Sequence, residues 1–453
     1  MRDLFVSNQA KLFEWAERAV AHPLPEPVRR RAATILADDI GAMVAGSLEP
    51  QVASTTAAFL AKSVGNTSTV FARGAPRADR DTAACANGMA ITWCELDEGF
   101  RNASCHAGAY TLPALLAECE ALGRTVDETV LALAVAYEVT TRFALACPFP
   151  TLSVHPHAAW ATLGAALGVG AARRLDAKTL AAAVTGAASM TFAGPFDTAV
   201  EGSLVRNGWT SAGAWIGMRA ADWAAAGIGG GAATIHDVFA VSFRTGVRPD
   251  ALVEDLGERW SVSSGYHKIF ACCQYAHTSI EATLELLQTP TERSVEDLAE
   301  IVVETGPGGM ALTTVEPDTV LAAKFSIPHA VAATTRLGTG GARAFTYDTL
   351  RDEGIAGLRR KVTLAPYPNV RPAPNDRPAR ITWKFHDGGQ MSATCESARG
   401  GSDRPFDEAT LLAKLADNAA TTFPRLPAAL ARVIEGDPSV ADLRWKAFLE
   451  AHL

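Results

Sequence analysis

The hydrophobic period changes twice along this chain, and those changes limit the fold more than any single motif does. From the N-terminus to about residue 270, apolar residues recur at helical spacing, segment after segment. Thr125-x-x-Glu128 has capping-box spacing ahead of Val130, Leu131, Leu133, Ala134 and Tyr137, and Asp176 is placed to cap a helix over 177–190. Ala212 to Ala226 is again mostly apolar and ends at Gly227, Gly229, Gly230 and Gly231. Ala and Gly recur throughout, and small side chains let helices approach closely. After about residue 295 the pattern shortens and becomes β-branched, at 300–304 and 361–364. Ile381 to Phe385 alternates apolar with polar, Asp387-Gly388-Gly389 follows, and Met391 to Thr394 returns, which predicts a hairpin. From Phe406 the helical period resumes, with Asp407 as cap. The expected fold is mainly α: a large helical domain over 1–268, a smaller α/β lid domain over 269–395, and helices over 396–453 that return to the first domain. No repeat of fixed period interrupts this order.

The chain has 453 residues, 48% hydrophobic and 20% charged, enough to bury a core without disulfide or metal staples. Its formal net charge of -8 argues against nucleic acid or an anionic membrane as partner. Asp3, Asn8 and Gln9 break any signal-like apolar run. The charge-free stretches Ala158 to Ala172 and Thr179 to Phe196 fall at or below the ~18–20 residues a span needs and are diluted by Gly, Thr and Ser, so they predict buried helices. The eight cysteines include no CxxC pair, which predicts reduced thiols in a cytoplasmic protein and no zinc or iron–sulfur site. P-loop, dinucleotide, HExxH and GxSxG signatures are absent.

Five polar clusters stand out against this apolar background. The first runs Asn87-Gly88, Glu95-Leu96-Asp97-Glu98, Arg101 and His106-Ala107-Gly108. Carboxylates this near a histidine can orient and tune it, and Arg101 is either a substrate cation or a surface charge; a solvated loop is the plain alternative. The second is His155-Pro156-His157 at the mouth of an apolar helix, where a histidine caps backbone groups as readily as it does chemistry. The third holds Arg206, a planar fork suited to a carboxylate. The fourth runs Tyr266-His267-Lys268, Cys272-Cys273 and His277, and paired buried cysteines there read as packing. The fifth is Lys324 to Ala332, with His329 opening another small-residue helix.

Taken in order, Asn87-Gly88, Glu95-Leu96-Asp97, His106-x-Gly108, Leu112-Pro113-Ala114, His155-Pro156, Gly217-Met218-Arg219, Lys268, His277 and Phe325-Ser326-Ile327-Pro328 resemble the MmgE/PrpD family, as does Ile35 to Gly46. That family includes 2-methylcitrate dehydratase, cis-aconitate decarboxylase and iminodisuccinate epimerase. The resemblance implies a homodimer, a site in the cleft between a helical and a lid domain, no metal or organic cofactor, and proton transfer at carbon next to a carboxylate. It places His106 on the His of a His-Pro-Gly-like motif, with Ala107 replacing the proline; His155 on a second His-Pro; and Lys268 on a lid-side lysine. Glu95 and Asp97 compete for the family's Asp position. Arg206 stands where dehydratase and decarboxylase members carry Lys, and His329 where they usually carry Tyr.

Proton removal beside a carboxylate needs fixed cations and a base working near the ambient pH. Arg206 and Lys268 are expected to bind substrate charge, with Arg101 and His277 in support. His106 and His155 are the acid/base candidates. Glu95 or Asp97 holds a histidine or acts as base, and His329 donates from the opposite face. The expected activity is a cofactor-independent lyase, a dehydratase or decarboxylase acting on a small carboxylic acid. The rivals are an isomerase or epimerase of a small dicarboxylate and a catalytically silent metabolite-binding paralogue, which should lose the convergence of His106, His155 and Lys268.

Overall fold

The computed structural model describes all residues, Met1–Leu453, and is mainly α-helical. The expected caps form. Thr125 and Glu128 make a reciprocal capping box at Val126–Ala146, Asp176 accepts from the Thr179 amide at Ala177–Ser189, and Asp407 accepts from the Thr410 amide at Glu408–Ala419. The apolar run that continues to Phe196 leaves the helix after Ser189, because Gly194 and Pro195 close it as a loop. Val126–Ala146 is long and apolar enough to cross a membrane, yet 89% of its apolar window is buried against other helices, as in a core helix.

Small residues set the spacing of the central helices. Pro156–Arg173 packs against both Ala107–Leu122 and Val205–Ala225. A Cβ on Gly213 or Gly217 would lie 2.5 or 2.4 Å from the methyls of Ala161 and Ala165, so these helices touch backbone to backbone. One core gathers residues from Phe5 to Val262 and again from Leu415 to Leu449. The C-terminal helices therefore complete the N-terminal bundle: the Val126 amide donates to the Leu443 carbonyl at 2.9 Å, and the Trp445 ring is fully buried. Truncating that ring to Ala would cost about 3–5 kcal/mol.

A second core is built mostly from Phe270 to Cys395. Its sheet has four strands in the order Val362–Pro366, Leu298–Thr305, Ala379–Phe385, Gln390–Cys395. The first pair is parallel, with Ile301 opposite Val362, and the other two pairs are antiparallel. The predicted hairpin has Ile381 opposite Ala393, and Gly388 takes φ 83° in its turn, a conformation glycine adopts without Cβ strain. Alternate residues Ala379, Ile381, Trp383 and Phe385 are buried, and the strand packs against His277–Gln288. A short ladder, Gly99–Phe100 against Gly265–Tyr266, ties the end of the first polar cluster to the chain just ahead of Lys268. A Cβ on Gly265 would lie 2.4 Å from a Glu98 carboxyl oxygen, so glycine here leaves room for Glu98 to accept from the Tyr266 amide.

Candidate active site

Between the two cores lies a cleft of about 520 Å³, its open mouth included. Glu95, His106, His155, Arg206 and Lys268 line it, so five of the sequence candidates converge from four separate segments. The ladder at Gly99 brings Lys268 beside Glu95 and Asp97, and the N-terminus of Pro156–Arg173 presents His155.

The floor is a buried charge network. Lys268 donates to Glu95 Oε2 at 3.3 Å and to Asp97 Oδ1 at 3.4 Å, and Arg206 donates through Nη2 to Glu95 Oε1. Burial alone would push these carboxyls up and the lysine down. The ion pairs win: Arg206 and Lys268 hold Glu95 down at about 2, Lys268 and His106 hold Asp97 far below the usual carboxylate range, and the two acids push Lys268 above its ordinary value. Glu95 adopts φ 54°, a left-handed backbone that costs a non-glycine residue on the order of 1–3 kcal/mol. Its two ion pairs hold it there.

Asp97 and Glu95 have separate tasks. Asp97 Oδ2 lies 2.7 Å from His106 Nδ1, so a neutral His106 carries its proton on Nδ1 and leaves Nε2 as a free acceptor in the cleft. Glu95 instead pairs the two cations. His155 is the N-cap of its helix and accepts from the His157 amide at Nδ1, 3.1 Å, while Arg206 Nε approaches its Nε2 at 3.2 Å. Burial and the Arg206 charge hold the imidazole neutral. A neutral imidazole accepts at only one nitrogen, so one N–H here faces another N–H. His157 packs edge-on to both His106 and His155, with centroids 4.9 and 4.6 Å away, and Tyr110 Oη contacts its Nδ1 at 2.9 Å.

Four candidates lie outside the cleft lining: Asp97, fully buried against His106 and Lys268, and three that bond elsewhere. His329 has both ring nitrogens engaged inside the second core, Nε2 with the Ala344 carbonyl at 2.9 Å and Nδ1 with Arg359 at 3.2 Å. His277 is tied by Nε2 to the Cys272 carbonyl and by Nδ1 to Tyr266 Oη, and burial lowers it to about 3. Both are neutral packing histidines. Arg101 turns to the 371–378 loop, donating to the Pro374 carbonyl, to Asp376 at 2.8 Å and to Ser397 Oγ at 3.0 Å, so it clasps the two units together. Cys273 does line the cleft, but burial pushes its thiol up to about 11, so it stays protonated. Sequence reasoning missed Ser104, Gln274, Tyr275 and Arg377 on the cleft wall. No set of three or more His, Cys, Asp or Glu side chains has metal-holding geometry anywhere in the chain.

The fold and cleft define a helical protein with a small α/β unit across a charged, histidine-lined site. Residues 10–241 match the MmgE/PrpD N-terminal domain and residues 270–436 the MmgE/PrpD C-terminal domain, and the chain belongs to that family. The second match runs past residue 395 into helices that pack in the first core. Membership is consistent with an enzyme and points broadly to dehydratase-type lyase chemistry. No curated protein sequence matches the chain.

Proposed function

We propose that this protein is a lyase that removes a proton from carbon next to a carboxylate of a small carboxylic acid, with side chains alone supplying the acid and base. The carrying observation is the His106–Asp97 pair, which directs a free Nε2 into the cleft beside a buried charge network. His106 Nε2 takes the proton, and the C–H electrons move toward the neighbouring carboxylate. The Nε2–H of His155 meets the growing oxyanion charge. In a dehydration the electron pair then forms the double bond as the C–O bond breaks, and the proton on His106 is available to the departing hydroxide. Asp97 steadies the imidazolium meanwhile, and Lys268 keeps Asp97 ionised.

Two-base epimerisation is less well supported. It needs a second free base on the opposite face, whereas His155 accepts at Nδ1 from the His157 amide, so that its Nε2 carries the proton, and His329 lies in the second core. A silent paralogue is disfavoured by the intact convergence of His106, His155 and Lys268. The homodimer is carried by the family resemblance, and a monomer in sedimentation at micromolar concentration would count against it. The test of function is a screen of mono-, di- and tricarboxylic acids, with and without hydroxyls, followed by NMR for loss of water or carbon dioxide. Turnover of at least one acid, reduced by about 10²–10⁴-fold in His106→Gln, supports the reading. No turnover of any acid, or turnover that survives the substitution, refutes it.

A further inference from the structure

The charge balance of the cleft argues against Arg206 as the grip on substrate. On the floor two cations, Arg206 and Lys268, face two carboxylates, Glu95 and Asp97, all of them buried. Arg206 also donates through Nη1 to Asn207 Oδ1 at 2.8 Å and to the Thr92 carbonyl at 3.2 Å. An incoming carboxylate would have to break a buried ion pair to gain this guanidinium, which costs more than it returns.

The wall contributed by the α/β unit is different. There Arg101 and Arg377 share a single carboxylate, Asp376, which lies 2.8 Å from Arg101 Nη2 and 3.5 Å from Arg377 Nε. Arg377 donates through Nη1 to Gln274 Oε1 at 2.6 Å, and its guanidinium lies 4.8 Å from the centre of the Tyr275 ring. Its Nε is buried without a hydrogen-bond acceptor. Arg377, Gln274 and Tyr275 all line the cleft. The wall thus holds one cation more than it has carboxylates, on a fork whose plane is fixed by Gln274 and Tyr275. An arginine held flat with donors to spare is suited to a carboxylate.

We propose that Arg377 binds a carboxylate of the substrate and sets the specificity of the cleft for anionic acids, with Gln274 as its positioning residue. Selection then lies on the α/β unit, and proton transfer on the helical side. This rests on the carboxylic-acid reading of the site, and the experiment separates the two. Calorimetry measures binding of succinate and tricarballylate, with butyramide as the uncharged control, to wild type, Arg377→Gln, Arg377→Lys and Gln274→Glu. Loss of the charge-assisted hydrogen bonds should weaken binding of the two acids by about 10–100-fold in Arg377→Gln. Arg377→Lys should recover part of that loss. Gln274→Glu, which sets a carboxylate against the fork, should also weaken binding. Equal affinity of wild type and Arg377→Gln for the acids, with Gln274→Glu also unchanged, overturns the assignment of Arg377 and leaves the carboxylic-acid reading standing. A wild type that prefers neither acid to butyramide overturns both.

Discussion

Replacing Asp97 by asparagine changes one oxygen into an amide and should disable the cleft without unfolding the protein. Asp97 faces two donors, Lys268 Nζ at 3.4 Å and His106 Nδ1 at 2.7 Å. Asn offers one acceptor and one NH2. The ammonium takes the oxygen, because an NH2 turned toward it would set donor against donor. The NH2 therefore points at His106, whose Nδ1 must become an acceptor, and the proton moves to Nε2. The base then has no lone pair in the cleft, and turnover should fall by about 10²–10⁴-fold, as when a positioned acid or base is lost. The stability cost should be modest. A unit charge pair at this separation attracts by about 5 kcal/mol at an effective dielectric of 20. Glu95 still pairs Lys268 at 3.3 Å, and a buried carboxylate no longer has to be desolvated. A net loss of about 3 kcal/mol follows, the low end for a broken buried pair. Urea unfolding reads the second quantity, and 15N NMR of labelled histidines reads the tautomer, with the His106 resonance identified by its absence in His106→Gln. An unchanged His106 tautomer, or full turnover in the folded variant, would show that Asp97 does not orient the base.

Other consequences follow from the same geometry. Burial raises Glu98 to about 8, so between the unfolded carboxyl value and pH 8 the native protein holds a proton that the unfolded chain has released. Stability from this group is fully present at low pH and falls by up to about 1.4 kcal/mol per pH unit as pH rises through that window; Glu98→Gln should flatten the slope of urea midpoints between pH 5.5 and 8, and identical slopes would contradict the burial argument. His329→Ala removes one partner each from Arg359, which keeps Glu316, and from the Ala344 carbonyl, which keeps the Thr349 hydroxyl, so it should cost about 1–3 kcal/mol in urea unfolding while turnover per folded molecule stays at the wild-type level; a selective loss of turnover would return His329 to the chemistry. His155→Ala should lower turnover, since it removes a donor from the floor, and unaltered kinetics would remove His155 from the reaction. Dialysis against EDTA should leave turnover unchanged, and restoration by one added divalent ion would reveal a metal requirement.

The periods and caps were readable because they are local. Asp176 and the Thr125–Glu128 box act within one turn, and strand alternation at Ala379–Phe385 mirrors burial on a single face. Residues such as His106, Lys268 and Arg206 could be singled out because polar side chains in apolar, small-residue surroundings are costly unless paired. What they pair with was not readable. Arg206 is spent on Glu95, and Asp97 rather than Glu95 takes His106, because a two-residue ladder between Gly99 and Tyr266 sets which acid faces which base. Arg377 was hidden in a Pro-rich loop with no period, and only the fold of the α/β unit swings it into the cleft. His329 and His277 misled for the opposite reason: a histidine after a helix-opening proline or beside cysteines has the same local signature whether its nitrogens face substrate or backbone carbonyls.

The most direct test of the account is deuterium exchange. The acid selected by the screen is incubated in heavy water with wild type or His106→Gln, and the hydrogen beside its carboxylate is followed by NMR. The account predicts that wild type exchanges or eliminates that hydrogen, and that His106→Gln, although folded, does so about 10²–10⁴ times more slowly. Exchange at the wild-type rate without His106 would contradict it.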